Sequence, residues 1–240
     1  MLRIVTWLWK KQGYRSQFAA EHVNILRNMV ARHYLHPHEV VCVTDLPNGI
    51  DPRVRVVPAW NDYASVPSPH GAHQPSCYRR LRAFHPDIAE HFGERFVSID
   101  LDTVIVGDMT PIWDRTEDFV AWGETNPKSY YNGSMMLLTA GTRPHVWQLF
   151  DPRQSPQLAF RAGKFGSDQG WISYCLGKGE PIWTTADGVY SYNVHLRPPR
   201  HSTQPVKPLP ENARIVMFHG SVDPWSPEAQ ALPFVKEQYR

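Results

Sequence analysis

Short runs of β-branched and aromatic residues alternate with a helical pattern along the first hundred residues. Four of these runs have the composition of buried strands: Leu2–Trp9, Val40–Thr44, Val54–Val57 and Arg95–Asp100. Between the first two runs, Gln17–His33 carries apolar residues at the spacing of one helical face and predicts a helix. Strands that alternate with helices in this way predict an α/β fold with a mostly parallel central sheet and helices on both faces.

The second half of the chain is less regular and richer in loops. Its predicted strands are Phe119–Trp122, Ser134–Thr139 and Arg214–Phe218. The remaining predicted helices are Cys77–Phe84, Pro144–Phe150, Asp168–Leu176 and Glu228–Tyr239. No repeat or low-complexity linker interrupts the chain, so the pattern predicts a single domain over 1–240, with a regular half (1–106) and a loop-rich half (107–240).

One stretch of the sequence places candidate functional residues at the end of a predicted strand. The run Phe96–Ile99 leads into Asp100-Leu101-Asp102, and a second β-branched run follows at once. Alternation along a strand would send Asp100 and Asp102 to the same face, with Leu101 opposite. Two neighbouring carboxylates repel each other unless a cation lies between them, which favours a site for Mg²⁺ or Mn²⁺ and a phosphorylated ligand. The alternative is a strand end with two solvated acids.

His219 follows the last predicted strand and could supply a third ligand from the end of another strand. An imidazole beside two carboxylates shifts the preference from Mg²⁺ towards Mn²⁺. The alternative for His219 is an ordinary capping or core histidine.

Three further segments admit a structural and a functional interpretation. Asp168-Gln169 opens a predicted helix after Ser167, either as its first turn behind an N-cap or as a contact to a sugar. Tyr131–Ser134 is either a turn or a segment that presents Asn132 to a polar ligand. The basic helix before the acidic strand is either solvated or brings one arginine to a phosphate.

Composition narrows the classes of protein. The chain has 240 residues, 42% hydrophobic and 20% charged, as expected of a globular protein. A net charge of +2 with scattered basic residues gives no nucleic-acid surface.

No stretch is long enough for a transmembrane helix, and Met1–Trp9 is too short for a secretion signal, although peripheral contact with a membrane stays open. Cys42, Cys77 and Cys175 cannot all pair and lack metal-ligand spacing, which favours reduced thiols in a cytoplasmic protein.

The stretch Asp100–Asp108 followed by Pro111-Ile112-Trp113 resembles the Asp-x-Asp segment of GT-A-fold glycosyltransferases. The resemblance is closest to family 8, which includes glycogenin and bacterial lipo-oligosaccharide galactosyltransferases, and to related small bacterial glycosyltransferases. Five more features match in the same order between Val5 and Trp225: the opening strand, Thr44-Asp45, Tyr131–Ser134, Asp168–Ile172 and Phe218–Gly220.

This resemblance implies a GT-A-like fold in which 1–106 form the nucleotide-binding half and 107–240 the acceptor-side half. It implies metal-dependent transfer of a sugar from a nucleotide-sugar, expected to be a UDP-sugar, to a hydroxyl group. The acceptor would be a glycan, a lipid-linked sugar or a protein, and the anomeric configuration would be retained.

The resemblance also assigns roles to residues. Asp100, Asp102 and His219 would hold Mn²⁺ or Mg²⁺. The donor would contact Thr6, Trp7, Arg80, Leu101 and Gly220, with Thr6 and its neighbours beside the base. The sugar and acceptor side would carry the catalytic candidates Asn132, Asp168 and Gln169.

One segment departs from the family pattern. Family members usually end with Lys-Pro-Trp or Lys-Pro-His, in which the lysine meets the diphosphate, whereas this chain has Asp223-Pro224-Trp225. A carboxylate would repel the phosphates, so Arg197, Arg200 or Lys207 would have to substitute, or activity would be low.

Two other functions remain open from the residues. Asp100 and Asp102 also fit the first motif of haloacid-dehalogenase-type phosphatases, as nucleophile and general acid. In that class the motif usually opens the chain, and no convincing later pair of acids with a lysine is present here. The other alternative is a non-catalytic sugar-nucleotide-binding protein, which Asp223 motivates.

Overall fold

The computed structural model describes residues 1–10, 16–71, 74, 76–123, 126–199 and 201–240. Its strands in chain order are β1 Leu2–Leu8, β2 His38–Thr44, β3 Arg55–Pro58, β4 Arg95–Ile99, β5 Thr103–Ile105, β6 Phe119–Trp122, β7 Asn132–Thr139, β8 Ile182–Trp183, β9 Val189–Ser191 and β10 Ile215–Met217. Its α-helices are α1 Ala20–His33, α2 Ile88–Phe92, α3 Thr110–Trp113, α4 His145–Gln148, α5 Ser155–Arg161, α6 Asp168–Leu176, α7 Pro227–Gln230 and α8 Pro233–Gln238. A 3₁₀ segment, Tyr78–Phe84, replaces the predicted basic helix.

Seven strands form the central sheet in the order β3-β2-β1-β4-β7-β6-β8. The first four are parallel neighbours, and β8 is parallel to β6, whereas β7 runs antiparallel to both β4 and β6. The sheet is therefore mostly parallel, as the sequence predicts. A second sheet of three short strands, β5-β10-β9, extends the fold beyond the end of β4.

Apolar side chains cover both faces of the central sheet. On β1, Ile4 and Leu8 belong to a core with α1, whereas Val5 and Trp7 belong to a second core with α2 and the 3₁₀ segment. This distribution explains why the inner strands of the sheet read as continuous hydrophobic runs rather than as alternating ones, since they are buried on both sides, whereas the edge strand β3 is partly exposed.

Several predicted boundaries change for local reasons. The helix predicted from Gln17 begins at Ala20, because Ala19 is extended and its N–H donates to His22 Nδ1 at 2.8 Å. The predicted strand Arg95–Asp100 ends at Ile99. The tail predicted as one helix from Glu228 forms α7 and α8 instead, and the second of them begins with Pro233.

Within the described residues, no helix combines the length and the apolar character needed to cross a membrane.

Candidate functional site

A cavity of about 250 Å³ opens at the carboxyl ends of β1 and β4. These two strands are parallel neighbours, so their ends meet at one edge of the sheet, where α/β proteins bind their ligands. The three predicted metal ligands, Asp100, Asp102 and His219, all line this cavity. So do the donor candidates Trp7, Arg80, Leu101 and Gly220 and the catalytic candidates Asn132, Asp168 and Gln169.

The acidic segment lies in a connection rather than on a strand. Because β4 ends at Ile99, the premise that Asp100 and Asp102 alternate along one strand is wrong. The segment is fixed at both ends instead: the Asp100 N–H donates to Ser134 O and the Phe218 N–H donates to Asp102 O, each at 2.8 Å. Leu101 is buried in the core, so the connection leaves both carboxylates at the cavity.

Arg80 joins two of the predicted acids inside the cavity. Its guanidinium pairs with Asp100 and donates from Nε to Asp168 Oδ2 at 2.7 Å. Burial alone would disfavour its charge, but Asp100 and Asp168 outweigh burial and raise the pKa of Arg80 well above its ordinary value. The cavity therefore contains a permanently charged arginine, not the solvated side chain of a charge run.

Gly133 makes room for this ion pair. A Cβ at this position would lie 2.8 Å from Arg80 Nη2 and 3.2 Å from Asp168 Oδ2, which is closer than such contacts normally allow. The Gly133 N–H points to Gln169 Oε1 at 3.4 Å. Asn132, Gly133 and Ser134 are the first residues of β7, so the predicted turn is wrong, and Gly133 has a packing role beside the predicted role of Asn132.

The start of α6 is fixed from a distant segment. Ser167 is the N-cap residue of this helix, as the sequence suggests, but its side chain makes no capping hydrogen bond: Ser167 Oγ accepts the N–H of Cys77 at 2.9 Å. This bond connects the start of α6 to the 3₁₀ segment and so places Asp168 opposite Arg80.

His219 is a partly buried histidine that lies just after β10. Its Nε2 lies 2.7 Å from Ser191 Oγ, and its ring packs edge-on against Trp122 with centroids 5.3 Å apart. Burial lowers its pKa, nearby His195 lowers it further, and Asp100 acts in the opposite direction. The imidazole is therefore neutral at neutral pH, which is the form that binds metal ions.

The possible metal ligands suit Mn²⁺ or Mg²⁺, because two carboxylates and one neutral imidazole reach the same cavity. Among the described residues, however, no three His, Cys, Asp or Glu side chains converge as a metal-binding group. The ion pair between Arg80 and Asp100 gives a physical reason, since it turns one of the two carboxylates towards the guanidinium.

Thr6 and Trp7 lie at the end of β1 in different surroundings. Thr6 is fully buried, is not among the described residues that line the cavity, and its Oγ1 has no hydrogen-bond partner within the described part of the chain. Trp7 does line the cavity, and its Nε1–H donates to Ser98 Oγ on β4 at 3.0 Å.

Asp223 does not belong to the described lining of the cavity. It is buried, and its carboxylate accepts a hydrogen bond from Ser16 Oγ at 2.8 Å. Of the three proposed substitutes for the family lysine, Arg197 pairs with Glu228 at 2.9 Å and Lys207 is exposed, and neither is in the described lining. Arg200 lies outside the described residues.

Sequence reasoning missed the part of the cavity that comes from the loop before the 3₁₀ segment. His70 lines the cavity and accepts the Gly166 N–H at Nε2, at 3.0 Å. Its ring also packs on Phe165, with centroids 4.7 Å apart. The clustering of histidine and serine in this loop was the available signal, but no local period connects it to a segment almost a hundred residues away.

No family model matches the chain, and no curated protein matches it. Solved structures do match this chain. One is the galactosyltransferase LgtC, whose structure was determined in complex with donor and acceptor sugar analogues. It superposes with a TM-score of 0.63 and 14% identity, over 99% of this chain and 95% of LgtC. The chain has a glycosyltransferase fold. The glycosyltransferase GlyE from Streptococcus pneumoniae TIGR4 gives a TM-score of 0.55 at 12% identity over 95% of this chain. The bifunctional glycosyltransferase WbbM gives 0.56 at 13% identity over 99%.

This chain spans only 57% of GlyE and 51% of WbbM, whereas it spans nearly all of LgtC. The predicted GT-A-like architecture and the resemblance to family 8 galactosyltransferases are thus confirmed at the level of the fold.

Proposed function

We propose that this chain transfers a sugar from a nucleotide-sugar, with a UDP-sugar as the expected donor, to a hydroxyl group of an acceptor. The observation that carries the proposal is a single cavity, at the carboxyl ends of β1 and β4, lined by Asp100, Asp102, His219 and Arg80. The fold shared with LgtC, whose structure contains donor and acceptor sugar analogues, supports the same function.

Asp100, Asp102 and His219 are the residues proposed to hold Mn²⁺ or Mg²⁺. When bound, the ion would supply Lewis-acid neutralisation of the leaving diphosphate. Arg80 adds a fixed positive charge in the same cavity, and one well-placed charged donor contributes on the order of 3 kcal/mol to such a reaction. We further propose that a donor phosphate displaces Asp100 from Arg80, which frees that carboxylate for the ion.

The amides of Asn132 and Gln169 and the carboxylate of Asp168 belong to residues that line the same cavity, and they are proposed to bind hydroxyl groups of the sugar and acceptor. Their task is orientation, because the acceptor oxygen must be held close to the anomeric carbon. Retention of configuration is the expected outcome, on the family resemblance.

A thermal-shift titration with UDP and MnCl₂ tests donor binding. We expect the melting temperature to rise only when both are present, because ligand that binds the folded state stabilises it. Asp102→Asn should abolish this rise and leave the melting temperature of the free protein near the wild-type value. Glu90→Gln on α2, an exposed acid outside the described cavity lining, is the matched control and should respond like the wild type. An unchanged shift in Asp102→Asn contradicts the proposed metal site.

The pairing of Arg80 with Asp100 also favours a second candidate, a non-catalytic sugar-nucleotide-binding protein, because one proposed metal ligand is engaged. The two candidates differ in one measurement: both predict a shift with UDP and Mn²⁺, but only the enzyme releases UDP from a UDP-sugar. The phosphatase alternative predicts instead that an aspartyl-phosphate mimic is trapped at Asp100, and the glycosyltransferase folds described above give it no support.

A further inference from the structure

Exposed apolar side chains gather on α5 and α6 and on the segment between them. Leu158 is 43% exposed, Phe160 46%, Phe165 38% and Tyr174 42%. Single exposed apolar residues need no explanation, but several on adjacent elements mark a contact surface. We call these four residues, together with Arg153, Arg161, Lys164 and Lys178, the α5–α6 surface.

Contacts show that this surface is continuous. The ring of His70 lies 5.2 Å from that of Phe160 and 4.7 Å from that of Phe165. Lys164 and Lys178 both lie over Tyr130, with Nζ to ring-centroid distances of 3.4 and 5.3 Å.

The α6 end of the surface joins the same group of side chains. The Tyr130 N–H donates to Ser173 Oγ at 3.1 Å, and Ser173 directly precedes the exposed Tyr174. Tyr174 itself stacks on Trp171, with ring centroids 5.4 Å apart. Lys164 directly precedes Phe165 in the chain, and so links the rings of Phe160 and Phe165 to the ammonium groups over Tyr130.

The charge of the patch has one sign. Between Arg153 and Gly179 the sequence has four cationic residues and a single acid, Asp168. Asp168 is buried and paired with Arg80, so it does not offset the exposed charges. The flanking acids Asp151 and Glu180 are half-buried and bond to Gln154 and Arg143, so the charged members of the surface itself are all cationic.

We propose that the α5–α6 surface docks on an anionic phospholipid bilayer. Aromatic and aliphatic side chains enter the headgroup region, and lysine and arginine side chains beside them meet anionic headgroups, a combination typical of interfacial binding. A symmetric contact with a second copy of the chain is disfavoured, because it would place four cations opposite four cations.

Phe165 belongs both to this surface and to the cavity lining. A docked bilayer would therefore lie beside the mouth of the cavity. A consequence that rests on the proposed function is that the acceptor hydroxyl belongs to a lipid-linked sugar at the membrane surface.

Co-sedimentation with vesicles tests the docking without any donor or turnover. The wild-type chain should pellet with phosphatidylcholine vesicles that contain phosphatidylglycerol, should pellet less at high salt, and should stay in solution with phosphatidylcholine alone. The apolar double variant L158S/F160S and the charge variant K164E/K178E should each bind about tenfold more weakly or worse.

The control variants are Leu35→Ser, which alters an 84% exposed leucine after α1, and Lys236→Glu, which alters an exposed lysine on α8. Both should bind like the wild type, and all variants should keep the wild-type melting temperature. Equal binding to neutral vesicles, or wild-type binding by both surface variants, overturns the proposal. The proposal is also overturned if the wild-type chain forms a dimer that does not bind vesicles and that dissociates in L158S/F160S. Because no donor is used, a chain that lacks transferase activity but binds anionic vesicles refutes only the proposed function.

Discussion

At the scale of single residues, the side chain of Arg80 is 7% exposed and faces two carboxylates. A buried ion pair gains little over apolar packing, but removal of one partner leaves the other charges buried and uncompensated. Asp168, which is 2% exposed, would lose its only arginine partner among the described ion pairs. The stability of the cavity wall therefore depends on this guanidinium.

Arg80→Met is expected to lower the free energy of unfolding by about 3–5 kcal/mol, because it leaves the buried carboxylate of Asp168 without its cationic partner and removes the cation beside the partly exposed Asp100. The matched control is Arg79→Met on the same 3₁₀ segment, where the partner Asp45 is half-exposed at 3.4 Å and the expected loss is about 1 kcal/mol or less. Urea unfolding of both variants measures the difference. Adding Asp168→Asn to Arg80→Met should recover part of the loss; equal losses in the two single variants would contradict this account.

Asp223 leads to a prediction that opposes the family pattern. Restoring the family lysine by Asp223→Lys should lower the melting temperature, because it removes the acceptor for Ser16 and places an ammonium group at a position that is 6% exposed. It should not strengthen binding of UDP, since this position is outside the described cavity lining. Asp223→Asn, which keeps an acceptor oxygen, is the control. Tighter UDP binding by a stable Asp223→Lys variant would show that the position does face the diphosphate.

At the scale of elements, the start of α1 depends on a neutral histidine. Burial lowers the pKa of His22 below its ordinary value of 6.5, although Glu21, Ala19 and Asp223 act in the opposite direction. The stability it provides is therefore complete above pH 6.5 and is lost as the pH falls from 6.5 towards the lowered value, where the folded state must bind a proton that the unfolded state already holds.

We expect the free energy of unfolding to fall when the pH is lowered through this range, with a smaller fall in His22→Gln. Denaturant unfolding at a series of pH values measures both slopes. His38→Gln is the control, because His38 begins β2 and bonds the His36 carbonyl in an exposed setting. Identical slopes for the wild type and His22→Gln would contradict the role assigned to burial.

Elements with a strong local pattern could be predicted from the sequence. The bounds of α6, Asp168–Leu176, agree with the prediction, since Gly166 and Ser167 precede the helix and Gly177 ends it with φ near 64°. The small sheet was missed because β5 and β9 have only three residues each, too few for any period. Such strands exist through pairing with β10, which is distant in the chain.

The candidate site likewise has residues that the sequence could place and contacts that it could not. Asp100 and Asp102 could be placed at the cavity because they follow a parallel strand, whose carboxyl end has a known side of the sheet. The bond between Arg80 and Asp168 joins residues 88 positions apart, and the bond between His70 and Gly166 joins residues 96 apart. No local pattern encodes contacts of that range, so the sequence could name these side chains but not their partners.

At the scale of the whole molecule, both halves of the chain contribute to one cavity. Trp7, Arg80 and Asp100 come from the first half, whereas Asp168 and His219 come from the second. A ligand that bridges these walls should stabilise the entire fold, because binding to the folded state alone raises the free energy of unfolding. Large apolar side chains packed on both faces of the central sheet hold this arrangement together.

The proposed sugar transfer is tested by the release of UDP from a UDP-sugar by the purified chain, measured with Mn²⁺ and with EDTA. UDP should be released with Mn²⁺, and release should be lost with EDTA and in Asp102→Asn at an unchanged melting temperature. Release that continues unchanged in EDTA or in Asp102→Asn, or no release from any UDP-sugar in the presence of Mn²⁺ and a panel of acceptors, would contradict the proposal.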